Sequence, residues 1–253
     1  MKARHWFAAG LWLLLTLCGS DAYATEITLV APGGAKAAMD ALLPKFESQT
    51  GNSVKATFGS GLGTKKQAAQ GTFDVSIAQP PFPEVLNSPD VDVKSQTPLA
   101  SVAVAVAVKK GSPKPDISSA DAVKRLLLSA KSVTYPDAAG GAAAGVSFEA
   151  TLKQLGIADQ IEAKITRAQG GAGAMALVAN GSVDVGLTFI SEMQDPGIDI
   201  VGPLPVPISP PTQLVGFVSA HSQHPDVAKA LLKFLSGPAG AEVYRAQRMQ
   251  PLH

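Results

Sequence analysis

Residues 26–51 read EITLVAPGGAKAAMDALLPKFESQTG. Glu26 to Ala31 is an apolar stretch of strand length that runs into Pro32-Gly33-Gly34. Beyond the glycines, Met39, Leu42, Leu43 and Phe46 recur at i, i+3, i+4 and i+7. That spacing predicts one buried helical face, running to about Gln49, with Gly51 as the stop. Strand, glycine turn and helix in succession make an α/β unit.

The same order recurs along the chain. Val54 to Phe58 is a strand leading into Gly59-Ser60-Gly61-Leu62-Gly63. A helix then opens at Thr64, with Gln67 at capping-box spacing. Asp74 to Ala78 is a third strand, followed by a Pro-rich stretch from Pro80 to Pro98. Val102 to Val108 alternates Val and Ala with no polar residue, which suits a strand covered on both faces. Ser119 to Ala130 is a helix with Val123, Leu126, Leu127 and Ala130 on one face. The strand Val133 to Tyr135 enters an Ala/Gly run, Asp137 to Gly145, ahead of a helix carrying Phe148, Leu152 and Leu155. Lys164 to Arg167 is a strand, Gln169 to Gly173 a glycine turn and Ala174 to Asn180 a helix. Further strands are expected at Asp184 to Phe189 and Leu214 to Ser219, and helices at Pro225 to Ser236 and Pro238 to Gln247. One echo stands out: GTFDVSIA at 71–78 parallels GSVDVGLT at 181–188. It reads as one helix-to-strand connection used twice, once in each of two similar units.

Composition bounds the function. The 253 residues are 46% hydrophobic and 16% charged, with a formal net charge of +1. Nucleic-acid binding would want a strongly basic face. One Cys excludes a disulfide framework and a zinc-thiolate site. Met1 to Ala24 has a basic start, an apolar run from Phe7 to Leu17 and Ala22-Tyr23-Ala24 before Thr25, the pattern of a cleaved signal peptide. A lipoprotein signal at Cys18 is disfavoured by Leu17. The remaining chain keeps neither Cys nor Trp and balances its acidic and basic side chains. A periplasmic location, and a core sufficient without disulfides, are expected.

Eleven glycines fall at four strand-to-helix junctions: Gly33 and Gly34; Gly59, Gly61 and Gly63; Gly140, Gly141 and Gly145; Gly170, Gly171 and Gly173. In α/β sheets ligands bind at the carboxyl ends of strands, and helix N-termini can hold an anion there. Gly59 to Lys66 misses the P-loop pattern at Thr64 and Lys66, and the dinucleotide pattern at Thr64. No cysteine nucleophile or Gly-x-Ser-x-Gly elbow is present. His224 reads as a helix cap before Pro225, and Asp74 and Asp184 as turn residues. The expectation is therefore a binding protein, with no catalytic residues, no metal ligands and no cofactor. An exported enzyme lacking a recognisable motif stays as the alternative from another class.

Ala31-Pro32-Gly33-Gly34-Ala35-Lys36, Phe58-Gly59-Ser60-Gly61, Gly71-x-x-Asp74-Val75 and Pro136-Asp137 before a helix together resemble the molybdate-binding-protein-like group of bacterial periplasmic solute-binding proteins. The resemblance implies an α/β, two-lobed type II periplasmic binding fold, each lobe a mostly parallel sheet flanked by helices. The lobes would be residues 25–101 with 203–253, and 102–202. They would close on a small anionic solute, most simply a molybdate- or tungstate-type oxyanion, and pass it to an ABC transporter permease. A monomer with no nucleic-acid partner is expected. Molybdate binders of this group use two Ser hydroxyls, a Tyr hydroxyl and backbone N–H groups. The resemblance places these at Gly34, Ser60 and Phe189, with backbone donors from Ala35, Gly61, Ala142, Ala143, Gly171 and Ala172. Only Ser60 keeps its hydroxyl. Arg167, ending a strand three residues before Gly170, offers the other reading: a small organic carboxylate held by a guanidinium.

Overall fold

A computed structural model describes residues 24–252, so the segment read as a signal peptide lies, but for its last residue Ala24, outside the described residues. Among the described residues eleven strands form two sheets. The chain builds β1 (Glu26–Pro32), β2 (Ser53–Gly59), β3 (Val75–Ala78) and β4 (Val91–Val102), then β5 (Val104–Lys109), β6 (Val133–Pro136), β7 (Ile165–Ala168), β8 (Val185–Phe189) and β9 (Ile198–Pro203), and returns through β10 (Thr212–Ser219) and β11 (Gln250–Pro251). The first sheet has the order β11-β4-β10-β3-β1-β2 and the second β7-β6-β8-β5-β9. The chain crosses between sheets at Ala103, between β4 and β5, and again between β9 and β10.

The helices are α1 (Lys36–Thr50), α2 (Gly61–Ala69), α3 (Pro83–Leu86), α4 (Ala120–Ser129), α5 (Ala143–Leu155), α6 (Ala158–Ile161), α7 (Gly170–Ala179), α8 (Pro225–Leu235) and α9 (Pro238–Ala246). The apolar spacings behave as read. Met39, Leu42, Leu43 and Phe46 are buried on α1, and Ala228, Leu231, Leu232 and Leu235 on α8. None of the described helices is long and apolar enough to cross a membrane.

Three expectations change. Both sheets are mixed, because β4, β5, β9 and β10, the strands flanking the two crossings, pair antiparallel with their neighbours. The twelve-residue strand β4 begins inside the Pro-rich stretch and runs four residues past its end at Pro98. Pro98 is accommodated there because the pairing with β10 shifts register between Leu214 and Val215, where a missing N–H breaks no regular ladder. The second helix starts at Gly61 rather than Thr64, capped by Ser60, whose hydroxyl accepts from the Gly63 N–H. Likewise α7 starts at Gly170, and Gly145 lies inside α5. These glycines thus occupy first helical turns rather than loops.

The internal echo has a common geometry. Gly71 and Gly181 both take left-handed φ, +59° and +81°, after a helix. Asp74 then accepts the Thr28 N–H, and Asp184 the Lys131 N–H. Each aspartate ties its incoming strand to the neighbouring chain segment.

Candidate functional site

The carboxyl ends of six strands converge on one cleft of about 640 Å³ between the sheets. Pro32, Gly33 and Gly34 come from the end of β1, Gly59 to Gly61 from β2, and Gln79 from β3. Pro136, Asp137 and the turn to Ala144 follow β6, Arg167 to Gly171 end β7, and Phe189 and Glu192 follow β8. Four helices, α1 behind a short 3-10 turn (Gly33–Ala35), α2, α5 and α7, begin at this cleft. None carries an acidic residue in its first turn, whereas α4 and α8 open with Asp121 and Asp226. First-turn N–H groups have no intrahelical acceptor, and the helix dipole there is positive. The α2 and α5 N-termini therefore face the cleft with no acidic side chain of their own, as an anion site requires, whereas the Glu192 carboxyl stands beside Gly33 and Gly171 at the other two.

The lobes touch across this cleft. The Leu62 N–H donates to the Gly141 carbonyl at 3.2 Å. The buried Ser191 hydroxyl donates to the Gly34 carbonyl at 2.8 Å. The glycines make this approach possible. A Cβ on Gly61 would stand 3.0 Å from the Ala143 Cβ, and one on Gly34 3.0 Å from the Phe189 ring.

Of the residues singled out from the sequence, Gly34, Ser60, Gly61, Ala142, Ala143, Gly171, Phe189 and Arg167 line the cleft. Ala35 is fully buried behind it, and Ala172 is exposed on the first turn of α7. The Phe189 ring fills the space a Gly34 side chain would need, so the two missing hydroxyls are sterically linked. Arg167 directs both Nη groups at Glu162, 2.9 and 3.0 Å away, and its guanidinium lies 5.8 Å from the Tyr135 ring centre. The Glu162 hydrogen bonds hold its pKa above the ordinary arginine value. Burial, and the Glu149 carboxylate that accepts its hydroxyl, push Tyr135 up to about 12.

Two residues that composition and motif did not reveal occupy the floor of the cleft. Glu192 sits in a 3-10 turn (Ile190–Glu192) after β8. Its carboxyl lies between the Gly33 and Gly171 backbones, and a side chain on Gly171 would collide with it. It accepts the Thr188 hydroxyl. Burial raises its pKa above the ordinary carboxylate value, against the lowering effect of the bonds from Thr188 and the Phe189 backbone. Gln79 is 2% exposed, and neither its Oε1 nor its Nε2 has a hydrogen-bond partner. Among the described residues no three His, Cys, Asp or Glu side chains are grouped to hold a metal ion.

Comparison with known proteins supports the architecture and corrects one expectation. The periplasmic molybdate-binding protein of Azotobacter vinelandii superposes with a TM-score of 0.73 at 19% identity, covering 88% of this chain and 98% of that one. The sulfate-binding protein SubI of Mycobacterium tuberculosis H37Rv gives 0.71 at 21% identity, covering 90% and 87%. A curated relative, the aconitate isomerase of a Pseudomonas species, is 29% identical over 236 residues, 90% of this chain and 88% of that protein. The expectation that the chain is no enzyme is overturned by this relative. A search for linear catalytic motifs passes over an isolated carboxyl such as Glu192, which is made unusual only by where the fold puts it. The family model described as bacterial extracellular solute-binding protein matches residues 27–249, and the chain belongs to that family.

Proposed function

We propose that this chain is an exported enzyme on a solute-binding scaffold, which isomerises a small unsaturated polycarboxylate through proton transfer on Glu192. The carrying observation is the Glu192 carboxyl, set in the cleft with a raised pKa and four helix N-termini around it. The Pseudomonas aconitate isomerase supports the substrate class. Aconitate is a propene tricarboxylate with a CH₂ between a carboxylate and the double bond. An acid–base route to its other isomer removes a proton from that CH₂ and moves the electron pair through the allylic system. Return of the proton at the far carbon restores the alkene with its geometry free to change. No oxidant or reductant is consumed, and the base is regenerated.

In this reading the ligand carboxylates lie on the first-turn N–H groups of α2, α5 and α7. Residues 25–101 with 203–253 form one lobe and 102–202 the other, and the ligand stabilises the closed arrangement by binding both. Closure excludes water from the carbanion and places the acidic CH₂ against Glu192. A carboxyl whose pKa lies nearer neutrality is the better base at working pH. Arg167 stands at the rim and adds positive potential, although Glu162 occupies two of its N–H groups.

The test is direct. The protein from Thr25 onward, incubated with cis- or trans-aconitate in heavy water, should interconvert the isomers and exchange CH₂ protons, both visible by proton NMR. If neither isomer is converted above the uncatalysed rate, and no related unsaturated acid is either, the reading fails. Arg167→Ala should raise KM about tenfold with little change in kcat, the lower end of what a hydrogen bond to a charged group contributes. Steady-state kinetics on both isomers would check it.

A second reading is a molybdate-type oxyanion in the same cleft, delivered to an ABC permease from the periplasm. Ser60 at the α2 N-cap, beside the Gly61 N–H, favours it. Thermal-shift measurement with molybdate, tungstate, sulfate and phosphate separates the two. Ligand at about 100 times its Kd adds roughly 2.7 kcal/mol of stability.

A further inference from the structure

Gln79 is the most unusual polar group in the cleft. It follows β3 and places its amide between the two glycine turns of the first lobe. Its Oε1 is 3.1 Å from the Cβ position of Gly61, and its Nε2 is 3.7 Å from that of Gly34. Both atoms are buried without a partner. Leaving both a donor and an acceptor buried and unpaired is costly, and such groups in native proteins usually mark a ligand or an ordered water.

The partner must offer an acceptor and a donor side by side. A carboxylate or a tetrahedral oxyanion offers acceptors alone and would set oxygen against Oε1. A neutral carboxylic acid offers C=O and O–H at the spacing of an amide, and it does so whichever way the Gln79 amide is turned. The charges lining the cleft point the same way. They are Arg167, Asp137 and Glu192, one cation against two acids. Arg167 is engaged by Glu162, and Asp137 accepts the N–H groups of Ala139 and Gly140. Lys65, which lines the adjoining hollow with Gln79, donates to the Pro81 carbonyl and lies 3.9 Å from Glu84. Beyond the helix N-termini, a fully ionised tricarboxylate would find little compensation from cationic side chains. Its own neighbouring charges also raise the pKa of the last carboxyl to ionise.

Resting on the polycarboxylate reading, we propose that Gln79 holds one carboxyl of the substrate as the neutral acid. The acid O–H donates to the amide oxygen, and the amide N–H donates to the acid carbonyl. Binding then takes a proton from solvent. The bound ligand carries one charge fewer, so removal of a proton from carbon builds less negative charge in the cleft.

The experiment uses tricarballylate, the saturated analogue, which has no double bond to shift. Isothermal titration near neutral pH, in buffers of different ionisation enthalpy, counts the protons taken up. Glu192→Gln protein removes that group's contribution and should still take up about one proton per ligand. Adding Gln79→Leu should abolish that uptake and weaken binding about tenfold. A merely structural role for Gln79 would leave proton stoichiometry unchanged. Near-zero uptake in the Glu192→Gln protein, which keeps Gln79, overturns the proposal, as does uptake that survives Gln79→Leu. Failure of the polycarboxylate reading looks different: neither tricarballylate nor trans-aconitate gives heat and no isomer is converted, which overturns both.

Discussion

Glu192→Gln is expected to slow isomerisation severely while making the protein more stable. General acid–base groups contribute about 10²–10⁴ in rate. Turnover should fall by about that factor, with ligand binding retained because Gln keeps an acceptor for the Thr188 hydroxyl. The stability change follows from linkage. Burial raises the Glu192 pKa in the folded protein above 4.5, its ordinary value. Between the unfolded and folded values, the folded state binds a proton that the unfolded state has released. Stability therefore falls as pH rises through that window and is level above it. The Gln variant lacks this loss, so its advantage over the parent should be absent near pH 4 and grow towards neutrality. For a chain of this size, about 1 kcal/mol corresponds to about 2–4 °C in Tm. Thermal melts of both proteins across pH, with kcat on aconitate, check both halves. Parental kcat/KM should rise with pH through the raised pKa, since the base acts ionised. Retained turnover, or a variant less stable than the parent at neutral pH, would remove Glu192 from the mechanism.

How much of this was legible in the sequence differs from residue to residue. The periodic apolar positions of α1 and α8 predicted their buried faces, because one-sided burial leaves a 3.6-residue mark. The glycine junctions predicted where strands end, but their helices were read as starting late. Helix propensity counts against glycine, and that local preference yields where a Cβ would strike the opposite lobe or the Glu192 carboxyl. The strand β4 was hidden by Pro98, which a register shift absorbs.

Glu192 left no local signal. It lies three residues past a strand, and only the approach of Gly33 and Gly171 makes its environment special. Gln79 did leave one. The echo between GTFDVSIA and GSVDVGLT, carried one residue further, sets Gln79 opposite Phe189. Phe189 was already singled out for the cleft, so the pseudo-repeat placed Gln79 at the matching strand end of the other lobe.

Gly141→Ala is expected to cost about a hundredfold in affinity for aconitate without unfolding either lobe. Gly141 has φ +85°, and an added Cβ would stand 2.6 Å from the Leu62 Cβ across the cleft. Two separable effects follow. The left-handed backbone strains an Ala by about 1–2 kcal/mol. That strain is the same whether the lobes are apart or together, so it lowers Tm but leaves affinity alone. The collision with Leu62 arises only on closure. It lowers the closed fraction, and apparent affinity falls with that fraction. Leu62→Gly removes the colliding atoms and keeps the N–H that donates to the Gly141 carbonyl, so the double variant should regain most of the lost affinity but not the lost Tm. Gly140→Ala, whose Cβ would have atoms of Asp137 in its own turn as nearest neighbours, should bind as the parent does. Small-angle scattering should show the parent compacting with trans-aconitate and Gly141→Ala failing to. If Gly141→Ala binds as tightly as the parent, the Leu62 contact belongs to no ligand-bound state and closure on the substrate must follow another path.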